Sequence, residues 1–218
     1  MFNRGYAQGS EAFQRVILYH VGGGFDRFVS FLQQVELKMA NYAGLWSEAM
    51  KFDEFLAVSG SHHALWEGLF RLSQIPAWAA GATKGKKRNL LVIAEDWCGD
   101  ASNTIPFLAH WASVTPEISL RIIRRDEHLD VMDRYLTNGS RSIPVVIVLD
   151  ENYEELGYWG PRPKALQEWV MANKGTIPKA ELYPQVRKWY ARDRGETTLR
   201  EVMAIVAGKE GLEEARQS

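Results

Sequence analysis

The sequence predicts an α/β fold: a four-stranded mixed sheet with helices on both faces, plus helical extensions at the N- and C-terminal ends. Three observations carry this. Between residues 89 and 171, short apolar runs alternate with segments of helical periodicity in the order strand, helix, strand, helix, strand, strand, helix. Before about residue 82 and after about residue 175 only the helical period recurs. At 218 residues, 46% of them hydrophobic and 24% charged, the chain is long and apolar enough to bury a core. The expected organisation is therefore a helical N-terminal extension over 1–87, an α/β domain over 88–174 and C-terminal helices over 175–218.

Taken in order, Phe28, Phe31, Leu32, Val35 and Met39 follow Gly22-Gly23-Gly24 at helical spacing. Trp46, Met50, Phe52, Phe55 and Leu56 predict a second helix. Ser61 is positioned to cap a third, through Ala64, Leu65, Gly68, Leu69 and Leu72, which Ile75-Pro76 stops. Trp46, Trp66 and Trp78 lie in this region and read as packing residues. The triple glycine follows no strand and lacks the lysine and hydroxyl residue of a phosphate loop. Residues 81–88 precede a strand instead of following one, so a linker is expected there. Residues 90–94 predict a buried strand, 102–113 a helix, 118–123 a second strand and 128–136 a short helix. Asn138-Gly139 marks a turn, 145–149 a third strand, and 154–159 its hairpin partner. Pro163 opens a helix reaching Met171, and 183–190 and 198–206 predict two more, with Gly195 and Gly208 as stops.

A formal charge of −1 sets up no long-range field, so neither nucleic acid nor a membrane surface is an expected partner. One cysteine excludes a disulfide within the chain and points to a reducing compartment. The N-terminus lacks a basic-then-apolar leader, and no run approaches the roughly eighteen apolar residues of a membrane span, so a soluble, cytoplasmic protein is expected. His62-His63 has no partner at metal-ligand spacing, and no metal is expected.

The chemistry concentrates at Glu95-Asp96-Trp97-Cys98-Gly99-Asp100-Ala101, where an apolar run stops and a helical pattern starts. Unpaired N–H groups and the positive end of the dipole at a helix start favour a thiolate, so an acidified Cys98 is expected. His110 falls about three helical turns along, too far to serve as its base. Arg124, Arg125 and Arg141 are the loop cations nearest in sequence logic, candidates for an anionic ligand group such as a glutathione carboxylate.

Trp97-Cys98-Gly99-Asp100-Ala101 resembles the Trp-Cys-Gly-Pro-Cys stretch of thioredoxins. Gly139-Ser140-Arg141-Ser142-Ile143-Pro144-Val145-Val146 is similar to that family's cis-proline segment. The resemblance covers residues 88–173, and the whole is similar to a bacterial thioredoxin-like branch whose site reads Trp-Cys-Gly-Asp followed by Cys or Ala. It implies a thioredoxin-like fold in which Cys98 is the solvent-facing nucleophile, Trp97 shields it and Gly99 permits a tight turn. It further implies that the Ile143-Pro144 bond is cis and that Ile143 backbone groups pair with an extended substrate.

The departures bear on chemistry. Ala101 stands where the resolving cysteine would be, so one chain cannot complete a dithiol cycle. Asp100 replaces proline and puts a carboxylate near the thiol, where it can cap free N–H groups but opposes thiolate formation. Val92 occupies the place of the family's buried acid; Glu95 and Asp96 are closer and read as solvated rim carboxylates. Two functions follow. One is monothiol thiol–disulfide exchange in redox homeostasis, acting on a protein disulfide or mixed disulfide, with no bound cofactor but with glutathione or another low-molecular-weight thiol as co-substrate. The other is a catalytically degenerate module that docks peptides or proteins. The residues expected to carry either are Cys98 as nucleophile, with Trp97, Gly99, Asp100, Ile143 and Pro144 binding the substrate.

Overall fold

A computed structural model gives the fold and describes residues 41–79, 83 and 85–214. The triple glycine and the helix predicted after it lie outside the described residues, as does part of the 81–88 linker. The described elements run α1 (Tyr42–Glu48), α2 (Phe52–Ala57), α3 (His63–Leu72), a 3-10 turn (Ala77–Ala79), β1 (Arg88–Ala94), α4 (Gly99–Val114), β2 (Ile118–Arg124) and α5 (Leu129–Met132). They continue with β3 (Val145–Leu149), β4 (Glu155–Trp159), α6 (Lys164–Asn173), α7 (Lys179–Asp193) and α8 (Glu196–Glu214).

The strands form one mixed sheet in the order β2-β1-β3-β4. β1 pairs parallel with β2 and antiparallel with β3, and β3 pairs antiparallel with β4. The central strands β1 and β3 are apolar without alternation, Leu90 to Ala94 and Val145 to Leu149, because both their faces are covered and nearly every residue is buried. Edge strand β2 is partly closed by Met50, whose backbone N–H and C=O pair with Ile122 at 2.9 and 2.8 Å.

That pairing explains one difference from the expected elements. Trp46 to Leu56 is not a single helix: the chain leaves α1, becomes extended at Met50 to meet β2, and re-enters a helix at Phe52. Trp46, Phe55 and Trp66 are buried in the same core as the sheet. α3 begins after His62, a left-handed residue, and no Ser61 side-chain cap forms. α4 runs through Pro106, which has no N–H to offer the Ser102 carbonyl; burial of Ile105, Phe107, Leu108 and Trp111 on several sides holds the helix through that gap. α6 and α7 form a hairpin with a small core of its own, from Leu166, Val170, Leu182, Val186 and Tyr190. Gly208 interrupts α8 with φ 70°, as a helix-stopping glycine should.

Candidate functional site

β1 ends at Ala94 and α4 begins at Gly99, so the thiol sits at the junction, with Cys98 as the N-cap residue of α4. Its sulfur accepts from the Ala101 N–H at 3.5 Å, and its S–H donates to the Ile143 carbonyl at 3.4 Å. The Ile143-Pro144 peptide is cis. Two segments 45 residues apart thus meet at one sulfur. Trp97 beside it is 47% exposed and lies under the Arg125 guanidinium, 4.9 Å from the ring centre. Arg125 also donates to the Arg141 carbonyl at 3.3 Å, tying this rim to the cis-proline loop.

Cys98 is not solvent-facing: it is 8% exposed, packed in the sheet's core. Nor is it acidified. Burial pushes the thiol up to about 11; the Ala101 N–H pulls the other way, and the Asp100 carboxylate pushes it up again. Desolvation outweighs the helix start, which sequence position alone cannot reveal. Gly99 has an ordinary φ, and an added Cβ would meet nothing within 4 Å, so the turn does not require glycine there. Ala101, three residues after Cys98, is fully buried.

The carboxylates differ from the expected solvated rim. Glu95 is 3% exposed and accepts from Arg124 at 3.1 Å and from the Asp126 N–H at 3.0 Å. Asp96 accepts from the Gly60 and Ser61 N–H groups at 2.8 and 2.9 Å. Burial pushes its carboxyl up, but those two N–H groups and Arg124 outweigh it and leave it below its ordinary value. Both acids tie the loop after β1 to its neighbours.

Asp100 accepts from Arg162 at 2.5 Å and from the Tyr190 hydroxyl at 2.8 Å. Neither partner was singled out by sequence, because 62 and 90 residues separate them from Asp100 and no motif marks them. The fold delivers them. After β4, Gly160 has φ 136°, and a Cβ there would lie well inside contact distance of the Pro144 carbonyl oxygen. The chain therefore passes tightly over the cis-proline loop and brings Arg162 to Asp100. Tyr190 arrives from α7, where Gly195 just beyond packs so closely on Phe107 of α4 that no side chain fits.

The other candidates disperse. Arg124 pairs with Glu95, Arg125 with Asp126 at 2.7 Å and Arg141 with Asp133 at 2.6 Å, so these guanidiniums already hold carboxylates. His62 and His63 are exposed at the start of α3, and His110 meets Ser73 at 2.6 Å. Among the described residues no cluster of three or more His, Cys, Asp or Glu is arranged to hold a metal, and no helix is long and apolar enough to cross a membrane.

Two solved structures share this fold. One, from Pseudomonas aeruginosa, is described as a protein of unknown function (TM-score 0.63, 24% identity, 77% of this chain and 98% of that chain). The other is an HIV epitope scaffold (TM-score 0.62, 22% identity, the same coverage). No curated protein matches the chain. The thioredoxin family model matches residues 50–179, more than half of the sequence and all four strands, and the chain belongs to the thioredoxin family.

Proposed function

We propose that this thioredoxin-fold protein performs monothiol thiol–disulfide exchange through Cys98 in the cytoplasm, with the second thiol supplied from outside the chain. The observation that carries the reading is the position of the Cys98 sulfur, between the Ala101 N–H and the carbonyl preceding a cis-proline. There the sulfur stands against the backbone that, by the family resemblance, would pair with an extended peptide once that peptide displaces the Cys98 S–H from the Ile143 carbonyl. The Cys98 thiolate attacks one sulfur of a substrate disulfide, forming a mixed disulfide and releasing the other sulfur as thiolate. Ala101 has no sulfur to displace the substrate, so an external thiolate attacks the substrate-side sulfur and Cys98 leaves as thiolate. With a thiol pKa of about 11 the exchange is slow at neutral pH and accelerates with alkalinity. Trapping an adduct on Cys98 with a peptide disulfide, then following its release with and without added thiol by mass spectrometry, tests the reading. Release without added thiol would refute it.

The burial of Cys98 favours a second reading, a docking module with no exchange chemistry. It predicts peptide binding that Cys98→Ser leaves unchanged, and no adduct.

A further inference from the structure

A cavity of about 620 Å³ opens between the α6–α7 hairpin and the loop before Pro144. It lies within the size range of small-molecule sites. Two of its lining residues connect it to the surroundings of the sulfur: Ser142 precedes Ile143, whose carbonyl accepts from the thiol, and Arg162 is bonded to Asp100, two residues after Cys98. Its charge is one-sided. Arg162, Lys174 and Lys179 line it, and no Asp or Glu does among the described residues. Neither lysine ammonium has a carboxylate partner among those residues, and both side chains are exposed to an incoming ligand. The Arg162 guanidinium is fixed in the cavity wall by Gln167 and Asp100, which accept from its two terminal nitrogens. The hydroxyl of Ser140 and the free amide N–H groups of Gln167 add neutral donors.

We infer that this cavity binds a low-molecular-weight thiol carrying one or more carboxylates, and that this ligand is the external reductant; the inference rests on the exchange reading above. Lysine ammoniums with no carboxylate partner, in a cavity wall that carries no acid among the described residues, select carboxylates. In the step it serves, the bound thiol gives up its proton and attacks the substrate sulfur of the mixed disulfide. A ligand–substrate disulfide forms, the Cys98–substrate bond breaks, and the Cys98 thiolate takes up a proton.

S-methylglutathione, a tripeptide with two carboxylates and no free thiol, reads the cavity separately from the exchange. Calorimetric titration of the full chain is expected to show saturable binding, weakened at least tenfold in Lys174→Glu/Lys179→Glu and retained in Cys98→Ser. Both lysines are exposed, so the double variant should keep its fold, which circular dichroism checks. No binding by the wild type, or equal binding by the double variant, would overturn the assignment. A chain that binds the probe but performs no exchange tells against the exchange reading; one that exchanges with glutathione without binding the probe tells against the cavity.

Discussion

Raising the pH should reveal how strongly the core holds Cys98 neutral. The thiol moves from an ordinary 9.0 to about 11, chiefly by burial. Two pH units correspond to roughly 2.7 kcal/mol between thiol and thiolate. At pH 7 the native thiolate fraction is on the order of 10⁻⁴, against about 10⁻² in the unfolded chain. Iodoacetamide alkylation of the native protein should therefore rise about tenfold per pH unit through pH 10 and level off near 11. Asp100→Asn removes a charge that opposes the thiolate and should move the midpoint down. Stability follows with a definite sign. Between 9 and 11 the native state keeps a proton the unfolded chain has lost, so the contribution is complete below pH 9 and is lost as pH rises through 11. Urea unfolding of wild type against Cys98→Ser isolates this term, and wild type should lose about 2–3 kcal/mol more across that window. An alkylation midpoint at or below the ordinary thiol value of 9.0 would refute the reasoning.

Further predictions concern the surroundings of the thiol. Ala101→Cys puts a sulfur where none exists. Despite an overpacking cost of about 1–3 kcal/mol in a fully buried position, it should let Cys98 release a substrate without added thiol and end as an intrachain disulfide, seen by mass spectrometry. Arg162→Leu strands the Asp100 carboxylate, 13% exposed, beside the thiol. It should cost about 3 kcal/mol in urea unfolding and push the Cys98 midpoint higher still. Gly195→Ala forces a Cβ into the Phe107 ring at φ 78°. A loss of roughly 2 kcal/mol is expected, with weaker protection of α7 amides in hydrogen exchange as the Tyr190 contact loosens.

Much of the fold was legible because its signals are local. The unbroken apolar runs of β1 and β3 announced strands covered on both faces, and each helix after residue 98 appears where its period predicts, although α5 is only Leu129–Met132 against the expected 128–136 and α8 runs on to Glu214 past the expected end at 206. The break between Trp46 and Leu56 was hidden because Met50 is extended only through its pairing with Ile122, a partner 72 residues away. In the site, the thiol and its cis-proline neighbour were marked by short motifs. What sequence position misjudged was environment. A helix start favours a thiolate only where the sulfur keeps some solvation, and Cys98 is packed among core residues from several elements. Glu95 and Asp96 looked like rim acids because nothing nearby in sequence reveals the N–H groups of Gly60, Ser61 and Asp126 that hold them. Arg162 and Tyr190 entered the site only through a glycine-dependent passage over Pro144 and a hairpin docked on α4.

The central claim is that Cys98 exchanges disulfides but depends on an outside thiol to finish. Steady-state turnover of a peptide mixed disulfide at varied glutathione concentration, wild type beside Cys98→Ser, tests it most directly. The account predicts no turnover without glutathione, a rate that grows with its concentration and with pH, and none above background in Cys98→Ser. Equal rates in the two proteins would contradict it.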